Sequence, residues 1–295
     1  MHYPYISVIV CTLNRKSSLK KCLTELLNVD YPKSRYEIIV VDGGSVDGTV
    51  DMLKKEFPQV RCIIEERIGV SYARNRGIEN ANGNIIAFTD DDCIVTRNWL
   101  HELASSFSSA DIGAVGGPVR FLHHIPPKIL VKAALGGYDL GEKKEFVKFL
   151  ITSNMAIKSE IARKIRFDTK LGRRGNMLFD NEDIDFCEKI SRMGYRLLYN
   201  PKAVVYHDIN LKRVNTRYIL LRAIYSGISL YLMKKKYVKS RIKLFRDTAR
   251  STFGMFLLFL CKRKMENFYF FVRNLTFYLA LFTSPFIDRK IKIYR

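Results

Sequence analysis

The chain has no C-x-x-C pair. Its six cysteines, at positions 11, 22, 62, 93, 187 and 261, are scattered through strand-like and helix-like runs. That spacing excludes a disulfide framework and reads as buried free thiols in a reducing compartment. Long apolar spans are also missing. No stretch makes the clean run of about 20 apolar residues that a membrane-crossing helix needs. Residues 1–5 lead directly into a strand-like run, so no signal peptide is expected. Tryptophan occurs once, at Trp99. Acid is scarce in one region only. Residues 211–295 hold 20 Lys/Arg and three acids (Asp247, Glu266, Asp288), a balance of +17, whereas residues 1–210 carry +4 of the total of +21. The chain therefore reads as a near-neutral body, 1–210, followed by a strongly basic region, 211–295.

The body shows a repeating pattern. Ile6–Cys11, Glu37–Val41, Arg61–Glu65 and Ile85–Asp90 are short apolar runs of strand length. Helical periodicity separates them. Leu19, Cys22, Leu23, Leu26 and Leu27 share one helix face behind a candidate N-cap, Ser17. Val50, Leu53 and Phe57 share a second face, and Val70, Ala73, Arg74, Gly77, Ile78 and Ala81 a third. Asn98–Phe107 makes a further short helix. Strand–helix alternation with short connections argues for an α/β fold with a mostly parallel sheet and covering helices. Beyond it, Ala114–Val119 reads as one strand with Pro118 at an edge or bulge. Residues 123–147 read as a loop-rich insertion. Thr152–Ile157 is again a strand, and Tyr195–Tyr206 is a strand-like stretch with a turn at Asn200-Pro201.

Charged residues at strand ends carry the chemistry. The run Ile85–Thr89 ends abruptly in Asp90-Asp91-Asp92. Three adjacent carboxylates repel one another, and a hard divalent cation that takes oxygen ligands and bridges to phosphate would relieve this. A solvated acidic turn is the alternative. Ligands of open α/β sheets gather at the carboxyl ends of strands, where the polar turns after the first, second and fourth strands all fall. Arg74 sits on an otherwise small, apolar stripe and must pair with an acid or with an anionic ligand. Glu182, Asp183 and Asp185 open an amphipathic helix. Acids there complement the helix dipole, or one of them serves as a general base beside a cleft. His123-His124 and His207 are candidate metal ligands or plain polar positions.

These stretches together resemble the inverting glycosyltransferases of family 2. Four motifs carry the resemblance: Thr12 with Asn14-Arg15; Val41-Asp42-Gly43-Gly44-Ser45-Val46-Asp47-Gly48-Thr49; Ala73-Arg74-Asn75 leading to Asp90-Asp91-Asp92; and Glu182-Asp183-Ile184-Asp185. Asn200-Pro201 and His207 also fit, so the resemblance spans about residues 5–210. It implies a GT-A fold, Rossmann-like with a mostly parallel central sheet. It implies a nucleotide-sugar donor, UDP-linked by preference, and Mn²⁺ or Mg²⁺. Thr12, Asn14, Arg15, Asp42, Arg74, Asp90 and Asp91 fall at donor-binding positions, with Asp42 accepting from a nucleobase ring N–H and Asp90 near the ribose. Asp92 would hold the metal, with His207 as a further ligand. Asp183 would be the catalytic base, with Glu182 and Asn154 on the acceptor side. Lys189 stands where the family often has Arg. The Q-x-x-R-W motif of processive synthases is absent, which implies one sugar per encounter. A sugar-phosphate nucleotidyltransferase would need a glycine-rich phosphate loop after the first strand, and Thr12-Leu13-Asn14-Arg15 has no glycine. A catalytically dead membrane-bound adaptor would not need the acids kept here.

In 211–295, aromatic and aliphatic runs alternate with Lys234-Lys235-Lys236 and Lys262-Arg263-Lys264. Basic amphipathic helices of this kind lie in a membrane interface, where each cation adds about 1 kcal/mol of attraction to anionic lipid. A soluble helical subdomain is the alternative. Nucleic acid is not expected as a partner, because the aromatics cluster with Leu and Ile instead of interleaving with the charges. The expectation is a peripheral or monotopic enzyme on the cytoplasmic face of the cell membrane, acting on a lipid-linked or surface-glycan acceptor. Phe268–Phe286 is the stretch that could instead enter the bilayer.

Overall fold

A computed structural model describes residues 3–125, 132–210, 215–238 and 265–282. The chain forms two compact units. The first comprises residues 1–123, 137–169 and 182–209, and the second 124–136, 170–181 and 210–295. The single cut at 210 expected from charge thus assigns two short internal segments differently from the contacts.

The first unit is built on an eight-stranded sheet. Its strands are β1 (Ile6–Thr12), β2 (Tyr36–Asp42), β3 (Arg61–Ile64), β4 (Ile85–Asp90), β6 (Ile112–Gly116), β8 (Glu145–Val147), β9 (Asn154–Lys158) and β10 (Arg196–Tyr199), in the order β3-β2-β1-β4-β9-β6-β10-β8. A three-stranded sheet, β5-β11-β7, uses β5 (Cys93–Val95), β7 (Val119–Phe121) and β11 (Val205–His207). Helices α1 (Lys16–Leu27), α2 (Thr49–Glu56), α3 (Val70–Asn80), α4 (Trp99–Ser105), α6 (Ser159–Ala162) and α7 (Glu182–Arg192) complete the unit. Strands β3, β2, β1 and β4 are mutually parallel. Their residues are apolar at consecutive positions because helices cover both faces. Val8, Ile9 and Val10 are all buried. Gly77 lets α3 close on β1, since a Cβ there would lie 2.6 Å from Ile9 Cγ2.

The structure corrects or refines several expectations. Residues 114–119 are not one strand. β6 ends at Gly116 in the large sheet and β7 begins at Val119 in the small one. Gly117 makes the crossing possible, for a Cβ there would lie 2.2 Å from the Ala203 carbonyl oxygen. Residues 195–206 divide at the expected turn, Asn200-Pro201, into β10 in the large sheet and β11 in the small one. β9 runs antiparallel between β4 and β6, an interruption that strand–helix alternation does not announce. Of the expected insertion, α5 (Lys132–Leu135) belongs to the second unit and β8 forms a sheet edge, while 126–131 lie outside the described residues. Ser17 does not cap α1. The helix starts at Lys16, whose N–H donates to Asp47 Oδ2 at 3.0 Å, so the cap comes from the loop after β2.

The second unit contains α8 (Thr216–Tyr237) and α9 (Met265–Phe282). Asn215 caps α8 through its side-chain oxygen, which accepts from Tyr218 N at 2.9 Å. α8 continues unbroken through Lys234-Lys235-Lys236. Its buried residues include Arg222, Ser226 and Ser229 beside Ile219 and Ala223. Among the described residues no helix is long and apolar enough to cross a membrane. Residues 283–286 of the stretch expected to approach the bilayer lie outside the described residues.

Candidate active site

The register of the sheet sets the site. Thr12 pairs with Asp42, and Cys11 with Asp90, so the carboxyl ends of β1, β2 and β4 are level. The loops leaving β1 and β2 are stitched together. Asn14 sits at φ 53°, a left-handed conformation that asparagine tolerates. Its N–H donates to Ser45 Oγ at 2.7 Å, and its Oδ1 accepts from Val46 N at 2.8 Å. Asp42 is fully buried. Its Oδ1 accepts from Gly44 N at 2.9 Å and Ser45 N at 2.7 Å, while its Oδ2 has no hydrogen-bond partner among the described residues. A buried carboxylate oxygen without a donor is costly, and a ligand N–H would satisfy it.

The three acids after β4 point to different partners. Asp91 is buried and accepts from Thr12 Oγ1 at 2.7 Å and from Arg15 Nη1 at 2.9 Å. Arg15 Nη2 lies 2.7 Å from Asp92 Oδ2, so one guanidinium spans both acids. Burial pushes the Asp91 carboxyl up to about 7, against the pull of Arg15 and with the charge of Asp92 adding to the rise. Burial works against the Arg15 charge, yet Asp91 and Asp92 together hold its proton above the usual range. Asp92 Oδ1 is 3.2 Å from His207 Nε2, because β11 pairs His207 with Cys93. Asp90 stands at the rim, its side chain 38% exposed.

Asp90, Asp92 and Cys93 offer ligand atoms that all lie within 4.8 Å of one another. The two carboxylates are hard oxygen donors and suit a divalent cation such as Mn²⁺ or Mg²⁺. Cys93 is a soft donor that suits such a hard cation poorly; burial, with Asp92 and Asp90 adding to it, raises its thiol well above the usual range. The two upstream thiols are likewise protonated: burial pushes Cys11 up to about 12 and Cys22 well upward.

Arg74 joins the acidic strand end to α7. Its Nη1 lies 2.7 Å from Glu182 Oε1 and its Nη2 3.3 Å from Asp90 Oδ1. Burial works against its charge, but Glu182 and Asp90 raise its affinity for the proton above the ordinary arginine range. Its odd place on an apolar helix face is thereby explained in part by acids of the protein itself. Glu182 is buried at the start of α7, and Asp183 beside it is half-buried. Asp185 is fully buried and paired with Lys189 at 2.8 Å.

Not every expected residue joins this cluster. Asn154 is fully buried. Its Oδ1 accepts from Trp99 Nε1 at 2.8 Å, and its Nδ2 donates to the carbonyls of Pro118 at 3.0 Å and Ala203 at 2.7 Å. It ties α4 to the two strand crossings. His123 Nε2 lies at hydrogen-bond distance, 3.1 Å, from Asp208 Oδ1, and Asp208 Oδ2 binds Lys21 at 2.9 Å. The pairing of Arg15 with two acids and of Arg74 with Glu182 joins residues 76 and 108 positions apart, and no sequence spacing signals it.

A parallel-rich sheet with its first, second and fourth strand ends level and acidic is the architecture of a GT-A fold. The family model described as glycosyl transferase family 2 matches residues 7–171, and the chain belongs to that family. It is a glycosyltransferase.

Glycosyltransferase AglE of Haloferax volcanii is 29% identical over 211 residues, covering 69% of this chain and 67% of that protein. The glucosyl-dolichyl phosphate glucuronosyltransferase of the same organism is 26% identical over 247 residues, 79% of this chain and 78% of its own. Among solved structures, the mannosyltransferase PcManGT of Pyrobaculum calidifontis, in complex with GDP-Man and Mn²⁺, aligns with a TM-score of 0.60 at 22% identity. That alignment covers 81% of this chain and 66% of that one. TarS 1-349 of S. aureus in complex with UDP-GlcNAc aligns at 0.55 and 17% identity, covering 75% and 66%. These likenesses show the GT-A fold.

Proposed function

We propose that this glycosyltransferase is metal-dependent and inverting, and moves one sugar from a nucleotide-sugar to the hydroxyl of a lipid-linked or surface-glycan acceptor. The observation that carries the reading is the Arg74 clamp, which brings the acids after β4 and the start of α7 into one cluster. Asp42 Oδ2 accepts a ring N–H of the nucleobase. Thr12, Asn14 and Arg15 shape the floor of that pocket through Asp91, Ser45 and Val46. Asp90 and Asp92, with His207 beside Asp92, would hold Mn²⁺ or Mg²⁺. When bound, that ion offsets the negative charge that develops on the departing diphosphate. Asp183 takes the proton from the acceptor hydroxyl, which is otherwise too weak a nucleophile near neutral pH. A single displacement inverts the anomeric centre and requires no nucleophile on the protein.

UDP is the first choice of nucleotide. TarS in complex with UDP-GlcNAc supports it, and PcManGT in complex with GDP-Man makes GDP the main rival. The glucosyl-dolichyl phosphate named for one relative supports a lipid-linked acceptor. The basic region supports a place on the anionic, cytoplasmic face of the cell membrane.

Calorimetric titration with UDP, GDP and dTDP, each with Mn²⁺ and again with EDTA, tests the donor site. Binding of one nucleotide that is lost in EDTA and in Asp92→Ala supports it, and binding indifferent to both sinks the metal dependence. Co-sedimentation of the full chain with phosphatidylglycerol vesicles, compared with phosphatidylcholine vesicles, tests the membrane reading. Equal recovery with both removes it.

A further inference from the structure

In the second unit, α8 presents Arg222, Tyr225 and Ser229 at helical spacing, and their side chains engage one short segment, which the Ser226 backbone carbonyl also meets. Arg222 Nη1 donates to the Leu178 carbonyl at 2.8 Å, and its Nη2 lies 3.7 Å from Asp180 Oδ2. The same guanidinium reaches the Ala134 carbonyl through Nε at 3.4 Å. Tyr225 packs edge-on against Phe179, with ring centroids 5.1 Å apart. The Ser226 carbonyl accepts from Asn181 Nδ2 at 3.5 Å. Ser229 Oγ accepts from Asp180 N at 3.1 Å and donates back to the Tyr225 carbonyl at 2.9 Å. Positions 222, 225, 226 and 229 are i, i+3, i+4 and i+7, which is one helix face.

The face is polar where a soluble hairpin would carry leucine. Arg222 is 7% exposed, Ser226 4% and Ser229 0%. Burying such groups is unfavourable unless each is hydrogen-bonded; here Arg222 finds the Leu178 and Ala134 carbonyls and the Asp180 carboxylate, Ser229 finds Asp180 N and the Tyr225 carbonyl, and the Ser226 side chain pairs with Tyr269. The segment it grips leads directly into the active site. Asn181 adopts φ 64°, the left-handed turn that starts α7, and the next two residues are Glu182 and Asp183. Elsewhere on α8, Gly227 brings α9 close, since a Cβ there would lie 2.3 Å from the Arg273 carbonyl oxygen.

We infer that Arg222, with Ser226 and Ser229, positions the catalytic base by holding residues 178–181, so that the basic helices belong to the catalytic apparatus as well as to a membrane anchor. Arg222 is a positioning residue, because it acts on Asp183 through the chain. The inference rests on the reading of Asp183 as the base. It assigns α8 a task that can be separated from lipid binding.

The test uses the full chain and its variants Arg222→Ala, Arg222→Lys, Ser229→Ala and Asp183→Asn. Hydrogen exchange of the free protein is read first. In Arg222→Ala, amides of 178–186 should exchange at least about tenfold faster, while those of β1, β2 and β4 keep their rates. Turnover is then followed by nucleotide release from UDP-GlcNAc and GDP-mannose with Mn²⁺ and glucosyl-dolichyl phosphate in detergent micelles. Displacing the base by a fraction of an ångström to an ångström lowers rates by about 10- to 100-fold. Arg222→Ala should therefore lower kcat to that extent with the nucleotide Kd within about twofold of the parent. Arg222→Lys should recover part of the loss, and Ser229→Ala should fall in between. Unchanged exchange at 178–186 in both Arg222→Ala and Ser229→Ala overturns the inference. So does a fall in nucleotide binding as large as the fall in kcat, which marks general unfolding. If Asp183→Asn keeps full turnover, the base assignment itself fails and the inference fails with it. If Asp183→Asn is inactive while Arg222→Ala turns over normally, only the positioning role is lost.

Discussion

The α/β body and the helical unit hold their buried charges in opposite ways. In the body, charge meets charge across long stretches of sequence: Arg15 spans Asp91 and Asp92, and Arg74 spans Glu182 and Asp90. In the helical unit, Arg222 is held chiefly by backbone carbonyls at 134 and 178, with Asp180 farther off. A side-chain pair concentrates acids where a cation and an anionic substrate can enter the same network. A grip on carbonyls instead fixes the course of the chain. The body thus gathers its acids around two arginines, and the helical unit uses its buried arginine to tie backbone segments together.

The largest expected effect comes from breaking a pair in the body. Arg74→Leu leaves Glu182 buried beside α7 without its cation and should cost about 3–5 kcal/mol of stability by urea unfolding. A loss below about 1 kcal/mol would mean that Glu182 takes a proton or finds water, and the contrast would weaken. Next is the helical unit. Gly227→Ala forces α8 and α9 apart and should cost about 1–3 kcal/mol, seen as faster exchange in both helices. Undisturbed exchange would show that the crossing is looser than the 2.3 Å approach requires. The smallest effect belongs to a pair that does neither job. Arg192 and Glu188 are 2.7 Å apart but half-exposed on α7, and Arg192→Ala should change the unfolding midpoint by less than about 0.5 kcal/mol. A larger change would show that exposed pairs in the body also carry weight.

Much of the body was legible because its strands are buried on both faces and its helices on one, which writes two distinct periods into the sequence. Ile6–Cys11, Glu37–Val41 and Ile85–Asp90 could be placed in this way, and β1, β2 and β4 lie there. The crossings at Gly117 and after Asn200 were not legible, because a strand that leaves one sheet for another keeps the same apolar pattern. Nor was the role of Asn154. A buried asparagine that joins Trp99 to two carbonyls looks, in one dimension, like any polar residue at a strand start. On α8 the aromatic and basic composition pointed to an interface, while the buried polar face went unread. Its partners lie some 45 residues away, as with Asn181 and Ser226.

The alternation of strands and helices, the acids at the carboxyl ends of strands, and the separation of a near-neutral body from a basic region can be read from the residues alone. These are local properties, set by period, turn chemistry and charge count. That Arg15 spans Asp91 and Asp92, that Arg74 joins Asp90 to Glu182, and that α8 grips the residues before Asp183 follows from the folded arrangement alone. Such pairings depend on strand order and helix facing, which bring distant residues within 3–4 Å of one another, and no run of neighbouring residues records that order.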